Sequence, residues 1–248
     1  MIILKSPEEI EAMRRAGRVV ALAHRRIAEA IRPGIRTKDL DALALEVLKA
    51  EGAIPSFKGY QGYPANICVS VNEQVVHGIP GNTVLREGDI VSVDIGAIVD
   101  GFHGDAAWTY PVGEVDEAAQ ALLRAGEGAL YAGIEKARPG NRLSDISHAV
   151  QVYVESRGFS VVRDFVGHGI GRSMHEAPQV PNFGPPNRGP RLKPGMTLAI
   201  EPMVNAGGYE VEILSDRWTV VTRDRSLSVH FEHTVAITED GPVVLTAL

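Results

Sequence analysis

The sequence contains a single cysteine, Cys68. One cysteine cannot form an internal disulfide, and without a second there is no CxxC pair to hold a zinc ion or a redox centre. Long apolar runs are also missing at the N-terminus, where Lys5 ends the opening Met-Ile-Ile-Leu. That run is far shorter than a signal-peptide core or a membrane span. We therefore expect a cytoplasmic protein without a membrane partner.

Blocks of positive charge are absent as well. The formal net charge is −6 at pH 7, and lysines and arginines are scattered along the chain. Nucleic-acid binding normally needs clustered positive charge, so no nucleic-acid partner is expected. A chain of 248 residues with 44% hydrophobic content can bury a full core, which predicts one domain over residues 1–248.

Two helices are predicted near the N-terminus. Ser6-Pro7-Glu8-Glu9 combines an N-cap serine, a proline in the first turn and a glutamate placed for a capping box. This helix should run to about Ile31, because Arg32-Pro33-Gly34 breaks it. A second helix should open at residues 37–40 and end at Gly52.

The same order of features returns in the second half of the chain. Arg138-Pro139-Gly140 repeats the earlier breaker 106 residues further on, and a helix ending near Gly158 follows it. The apolar strands 90–94 and 197–201 are related by 107 residues, and each is expected to end on an acid. This pattern predicts a pseudo-twofold α+β domain, with copies of roughly 1–112 and 113–248, whose acids converge.

Four carboxylates lie in strand-like, apolar surroundings: Asp94, Asp105, Glu201 and Glu232. A single such acid would be read as a turn cap or a sheet-edge residue. Burying an ionised carboxylate without a partner is costly, however, and lysines and arginines are scarce nearby. With His168 between two glycines, the set suits two divalent ions such as Mn²⁺, Fe²⁺ or Co²⁺ better than a structural zinc site.

These five residues, in this order and with these neighbours, resemble the metal ligands of methionine aminopeptidases. The similarity is carried by three segments and spans nearly the whole chain: residues 93–96 (VDIG), 101–105 (GFHGD) and 167–171 (GHGIG). It implies the pita-bread fold, a pseudo-twofold antiparallel sheet backed by helices, and two divalent ions per chain. The absence of a long N-terminal extension is typical of the shorter, bacterial-type (type I) enzymes.

The resemblance also implies roles for individual side chains. Glu201 would be both a metal ligand and the proton acceptor, His175 would stabilise the oxyanion, and His77 would orient the peptide. Three further histidines are expected to support ligands or to be structural: His103, His230 and His233. Because neighbouring strand residues face opposite sides, His233 should point away from Glu232.

Six residues match the methionine pocket of this family: Phe57, Tyr60, Tyr63, Cys68, Met174 and Trp218. Soft and aromatic walls suit a thioether, although each residue alone could equally be core filling. Phe57 stands where a cysteine is often found, and Met174 where an aromatic residue is common. Both replacements stay apolar, so the pocket's specificity for methionine is expected to survive.

The expected function is therefore removal of the initiator methionine from nascent proteins, preferably before a small second residue. A monomer is expected, and contact with the ribosome stays open. The main alternative is an X-Pro aminopeptidase of the same fold, which usually carries an extra N-terminal domain. Another is a non-catalytic binding module that has lost its ligands. A cysteine protease built on Cys68 and His77 is disfavoured because a third, orienting group is missing.

Overall fold

The computed structural model describes residues 1–247, which form four α-helices, one 3₁₀ turn (Tyr60–Gly62) and fifteen β-strands. The helices are α1 (Pro7–Ala30), α2 (Thr37–Ala50), α3 (Glu117–Lys136) and α4 (Leu143–Glu155). The strands are β1 (Ile54–Pro55), β2 (Cys68–Val71), β3 (Gln74–Val76), β4 (Ile90–Val99), β5 (Phe102–Pro111), β6 (Ser160–Val161), β7 (Gly167–Gly169), β8 (Glu176–Val180), β9 (Thr197–Ile200), β10 (Met203–Asn205), β11 (Val211–Ile213), β12 (Val220–Thr222), β13 (Ser228–His230), β14 (His233–Thr238) and β15 (Gly241–Val244). No helix among residues 1–247 has the length and apolar character needed to cross a membrane.

The predicted helix starts are confirmed. At α1 the Glu9 amide donates to the Ser6 hydroxyl at 3.3 Å, and the Ser6 amide donates to the Glu9 carboxylate at 3.1 Å. The second helix of each half begins in a matching way. At α2 the Arg36 amide donates to Asp39 at 3.1 Å, and at α4 the Arg142 amide donates to Asp145 at 2.7 Å. These bonds satisfy backbone donors that have no partner inside the helix.

Antiparallel sheets lie against the two helix pairs. One sheet has β4 at its centre with β1, β2 and β5 as partners, and the other has the order β15-β14-β9-β7-β8. Apolar residues of α1 and α2 pack on the first sheet, and those of α3 and α4 pack on the second. Two further three-stranded sheets complete the pairing among the described residues. The predicted α+β class, with antiparallel sheets backed by helices, is confirmed.

The expectation that Asp94 ends its strand is wrong. β4 continues to Val99, and its register with β5 runs without a break from Ile90↔Pro111 to Val99↔Phe102. The two strands form one long hairpin, whose tight turn uses positive φ angles at Asp100 (52°) and Gly101 (77°). The pairing with β5 therefore extends the strand beyond the acid.

The two halves meet at Asp105 and Glu232. The Glu232 amide donates to the Ala107 carbonyl at 2.8 Å, and the Thr234 hydroxyl donates to the Asp105 carbonyl at 2.8 Å. Helix α1 presses on the same strand, because a Cβ at Gly104 would lie only 2.7 Å from the Gly17 nitrogen. This close packing fixes the position of β5, and with it the position of Asp105.

Candidate metal centre and adjoining pocket

The long hairpin places two of the predicted acids on one face. Asp94 pairs with Ala107, and Asp105 pairs with Gly96. Residues two apart on a strand share a face, so the two aspartates are diagonal neighbours. A Cβ at Gly96 would lie only 2.7 Å from Phe57 Cε1, so a side chain there would displace Phe57. The sequence therefore brings two carboxylates together without any contribution from the second half.

The second half supplies the other three predicted ligands. His168 lies on β7, Glu201 follows β9, and Glu232 precedes β14. The His168 Nε2 is 3.4 Å from a Glu201 oxygen and 4.0 Å from an Asp105 oxygen. Ligand atoms of Asp105, His168 and Glu232 all lie within 4.8 Å of one another, and the same holds for Glu201, His230 and Glu232. Glu232 belongs to both groups.

These carboxylates are poorly satisfied by the protein itself. Asp105 is 4% exposed and Glu232 is 1% exposed. One buried oxygen of Asp94, of Asp105 and of Glu232 has no hydrogen-bond partner. Such atoms are rare in folded proteins and call for an explanation, and a bound cation is one of the few that fits a cluster of acids.

Loss of water also changes the proton affinities of these groups. It raises the pKa of Asp94 to about 7 and that of Glu201 to about 8. Burial, followed by the charge of a neighbouring aspartate, raises the pKa of Asp105 and of Glu232 well above the usual range. Without a cation the cluster would retain protons near neutral pH, whereas a divalent ion would favour the ionised carboxylates. The donor set therefore fits a divalent metal.

His168 is prepared to bind through one nitrogen. Its Nδ1 lies 2.9 Å from the Gly169 carbonyl oxygen, which can only accept, so Nδ1 carries the proton. Burial lowers the pKa of His168 to about 3 and keeps the ring neutral. The lone pair of Nε2 then faces Asp105 and Glu201, as a metal ligand requires.

The glycines beside His168 face the neighbouring strands. A Cβ at Gly167 would meet the Ala199 carbonyl oxygen at 2.4 Å, and one at Gly169 would meet the Ala177 carbonyl oxygen at 2.3 Å. Glycine is required at both positions because β7 is packed tightly between β8 and β9. Close packing of the strand backbones, more than access to the imidazole, explains why both positions are glycine.

All thirteen predicted site residues line one cavity of about 150 Å³. The metal-binding candidates form one part of its wall: Asp94, Asp105, His168, Glu201 and Glu232. The two predicted catalytic histidines and the pocket residues form the rest: His77, His175, Phe57, Tyr60, Tyr63, Cys68, Met174 and Trp218. The structure thus brings together residues that are more than 170 positions apart in the chain.

The apolar part of this cavity is a separate hydrophobic cluster, which we call the side-chain pocket. It contains the six predicted residues together with Ala65 and Ile79, which sequence reasoning missed. Tyr63 packs edge-on against Trp218 at 5.1 Å between ring centroids, and its hydroxyl donates to the Gly78 carbonyl at 2.9 Å. The Asp216 carboxylate accepts the Trp218 amide at 2.8 Å, which holds the loop carrying this indole.

The two predicted catalytic histidines stand beside the acids. The His175 ring centroid is 4.3 Å from that of His168, and its Nδ1 lies 2.7 Å from the Tyr60 hydroxyl. His77 has a positive φ of 60° and packs edge-on against Phe165. Burial lowers the pKa of both rings, that of His77 to about 4, so both are neutral at physiological pH.

Two further side chains reach the site: His230, which was expected to support a ligand or to be structural, and Gln61, which was not predicted. His230 Nε2 is buried, has no hydrogen-bond partner and lies 3.5 Å from a Glu201 oxygen. Its spacing of two from Glu232 was a usable signal, because such residues share a strand face. Gln61 lines the cavity mouth, and nothing in its sequence context pointed there. His233 points away from the Glu232 side chain, and its Nδ1 lies 2.8 Å from the Thr246 hydroxyl.

Cys68 is unsuited to act as a nucleophile. The thiol is buried, and loss of water, followed by the charge of Asp94, raises its pKa well above the usual range. A cysteine nucleophile needs the opposite, a positively charged setting that favours the thiolate. The cysteine-protease alternative therefore lacks its essential group.

An antiparallel α+β fold around a buried, carboxylate-rich centre defines a metal-dependent hydrolase. The family model described as "Metallopeptidase family M24" matches residues 11–239. Methionine aminopeptidase 1 of Bacillus subtilis (strain 168) is 60% identical over 246 residues, 99% of each chain. The crystal structure of a Thermotoga maritima methionine aminopeptidase superposes with a TM-score of 0.99 at 52% identity, covering 100% of both chains.

The chain belongs to metallopeptidase family M24, within its methionine aminopeptidases. A prolidase from Pyrococcus furiosus shares the fold, with a TM-score of 0.81. That protein is only 24% identical, and the match covers 99% of this chain but 66% of the prolidase. The predicted pita-bread fold and the predicted family are confirmed.

Proposed function

We propose that this enzyme removes the N-terminal methionine from newly made proteins. The observation that carries the proposal is that an apolar, aromatic pocket and a cluster of unsatisfied carboxylates line the same cavity. The pocket suits a thioether side chain, because sulfur packs favourably on Phe57, Tyr63 and Trp218. The high identity to proteins named methionine aminopeptidase supports the same substrate, whereas the similarity to prolidases supports the fold alone.

The proposed metal ligands are Asp94, Asp105, His168, Glu201 and Glu232. They would hold two divalent ions: Asp105, His168 and Glu232 form one group of converging ligand atoms, and Glu201 and Glu232 form a second together with His230. Asp94 lies beside Asp105 on the hairpin. Oxygen-rich ligands with one imidazole favour Mn²⁺, Fe²⁺ or Co²⁺. Such ions, when bound, supply an activated water and polarise the carbonyl group that is attacked.

Glu201 is the proposed proton carrier. Its side chain is 13% exposed, so it reaches the cavity while remaining mostly buried. Loss of water raises its pKa to about 8 in the metal-free site, and a bound divalent ion would lower it again, leaving the ionised carboxylate that a proton acceptor requires. It would accept a proton from the attacking water and pass it to the departing amine.

His175 and His77 are proposed to bind the substrate backbone. When the Tyr60 hydroxyl donates to Nδ1 of His175, the proton of that ring sits on Nε2 and is free to stabilise an oxyanion. His77 lines the same cavity and stays neutral, so it can exchange hydrogen bonds with the peptide being cleaved. The preference for a small second residue is proposed from the similarity to methionine aminopeptidases.

The remaining parts of the proposal concern the whole protein. Residues 1–248 would act as one catalytic domain with an internal repeat. Nascent chains would be the substrates, and the protein would be a cytoplasmic monomer. The single cysteine supports the reducing compartment in which such substrates are made. Mass spectrometry of crosslinked extracts would show whether the ribosome is also a partner.

The test is release of the first residue from Met-Ala-Ser and from Ala-Pro-Ala, measured with Mn²⁺ or Co²⁺ and after chelation. Metal-dependent release of methionine alone is the expected result. Cleavage only before proline would move the chain to the X-Pro class. Inactivity with every divalent ion tried would favour a non-catalytic binding module.

A further inference from the structure

Lys5 is the only buried lysine or arginine among residues 1–247. Its side chain is 4% exposed and is paired with Glu176, whose side chain is 8% exposed. Burying two charges removes their water, and exposed ion pairs avoid that cost. The mechanism described above uses neither residue, so the pair needs a separate explanation.

The N-terminal segment holds Lys5 in place. The Lys5 amide donates to the Gly195 carbonyl at 2.7 Å, just before β9, and its Nζ donates to the Ile3 carbonyl at 3.2 Å. The segment is therefore fixed to the sheet that carries His168 and Glu201. From this fixed backbone the ammonium group reaches inward to Glu176.

Glu176 lies at the end of an active-site loop. It is the first residue of β8 and pairs with Gly169, the last residue of β7. Residues 170–175 join these strands and include Met174 and His175. One Glu176 oxygen also accepts the Ser173 amide at 3.3 Å, so the carboxylate binds the loop internally.

The loop rests directly on the ion pair. A Cβ at Gly171 would lie 2.4 Å from the Lys5 Cε and 2.6 Å from a Glu176 oxygen. The two loop residues that reach the cavity are held differently. Met174 is packed in the side-chain pocket, whereas the described hydrogen bond of the His175 side chain is to Tyr60, outside the loop. His175 therefore depends more on the loop's position.

We propose that Lys5 and Glu176 are positioning residues that hold loop 170–175 so that His175 faces the reacting carbonyl. This inference rests on the proposed function, in which His175 stabilises the oxyanion. An interaction made only in the transition state affects kcat and kcat/KM together. A loosened loop should therefore lower kcat, while KM is preserved by the packing of Met174.

The test uses the full-length, metal-loaded enzyme and the peptide Met-Ala-Ser. Lys5→Met keeps the apolar stem and removes the charge, and we expect kcat to fall about 10- to 100-fold, as for a misplaced catalytic group. KM should stay within about threefold of wild type, and bound metal should be unchanged. Hydrogen exchange of the amides at residues 171–176 should become faster. Lys5→Arg should restore most of kcat.

A double variant separates positioning from stability. Lys5→Met with Glu176→Gln leaves no unpaired buried charge, so its melting temperature should return toward wild type while kcat stays low. The control is Arg15→Met, which removes a 2.8 Å pair with Asp100 whose side chains are 51% and 63% exposed. It should change kcat less than about twofold.

Two results would overturn the inference: an unchanged kcat in Lys5→Met, or recovery of kcat together with stability in the double variant. Either would reduce the pair to a structural role. Absence of methionine release by the wild-type protein would instead overturn the proposed function. In that case the hydrogen-exchange rates at residues 171–176 would still show whether the Lys5–Glu176 pair holds loop 170–175.

Discussion

Glu232 connects the parts of the site. It is almost fully buried, its backbone bonds to Ala107 of the first half, and its carboxylate belongs to both groups of converging ligand atoms. Each of these features alone would be ordinary for a strand residue. Glu232 combines all of these features with a carboxylate oxygen that has no hydrogen-bond partner, which favours a cation bound there by both halves.

The division between ligands and catalytic histidines is testable at single residues. Asp105→Ala should empty at least one metal position, because it removes a buried oxygen that has no other partner. His77→Ala should leave the metal content intact and lower turnover by about 10²- to 10⁴-fold, the range for a lost acid–base or polar catalytic group. Metal analysis of dialysed protein and peptide kinetics measure both.

Similar metal loss in Asp105→Ala and His77→Ala would contradict this division of roles. Tyr110→Phe serves as a control for general damage, because its hydroxyl lies 3.0 Å from His24, outside the cavity. That variant should keep both metal and activity.

At the level of single residues, the sequence predicted most of the side chains that converge on the site, but it missed some of them. The five metal-ligand candidates were recognisable because each lies in a distinctive motif, and the pocket residues because their neighbours match the family. Ala65 and Ile79 were missed because small and aliphatic residues give no chemical signal. His230 was assigned only a supporting role, although its spacing of two from Glu232 predicts that both side chains face the site, where His230 Nε2 lies 4.0 Å from a Glu232 oxygen.

At the scale of elements, local rules worked best for helices. The capping residues Ser6 and Asp39 mark helix starts from within one turn, so their signal is contained in the sequence nearby. Strands such as β6 and β13 have two or three residues, and they exist only because a distant partner pairs with them. The length of β4 likewise depended on β5, which is why Asp94 was misplaced at a strand end.

The contact between α1 and β5 gives a prediction at this scale. Gly104→Ala should lower the free energy of unfolding by about 1–3 kcal/mol, because the added methyl group would overlap the backbone of α1. Gly81→Ala is the matched control, since the nearest atom to a Cβ there is 3.9 Å away. It should change stability by less than about 1 kcal/mol. Urea unfolding midpoints compare the two.

Equal destabilisation by these two substitutions would show that close packing of α1 on β5 is unimportant. The comparison is informative because both glycines lie in the first half and neither has a φ in the left-handed region.

Across the whole molecule, the second half repeats an isolated β-bridge of the first half as well as its helices. The isolated bridge between Arg36 and Val84 has a counterpart between Arg142 and Arg191, at the same shift seen in the sequence. These contacts support the proposal of an internal duplication. The site needs both copies, because the hairpin of the first half supplies two carboxylates and the second half supplies the rest.

The stability of the whole molecule should depend on pH in a way that reveals the metal. In metal-free protein, Asp94 and Glu201 have folded pKa values of about 7 and about 8, above those of an unfolded chain. The folded state then holds more protons, so stability should fall as pH rises from about 7.5 to 8.5, by about 1.4 kcal/mol per pH unit for each retained proton. The buried histidines oppose this slope near pH 6.5, because an unfolded histidine is half protonated there. Above about pH 7.5 histidines are mostly neutral in both states, so their opposing slope is small.

Melting temperatures measured across this window in chelator and in Mn²⁺ would check the prediction. The bound ion keeps the carboxylates ionised, so the slope should nearly vanish with metal. Glu201→Gln should flatten the slope of the metal-free protein. A melting temperature that rises with pH in chelator would contradict the assignment of raised carboxylate pKa values.

We propose that two divalent ions in this cavity make the chain a methionine-specific aminopeptidase. The most direct measurement is a titration of metal-free protein with Mn²⁺, in which bound metal and methionine released from Met-Ala-Ser are followed together. Release should begin only as metal binds, and Ala-Pro-Ala should stay intact throughout. Full activity in chelator, or no methionine release when the metal positions are filled, would contradict this proposal.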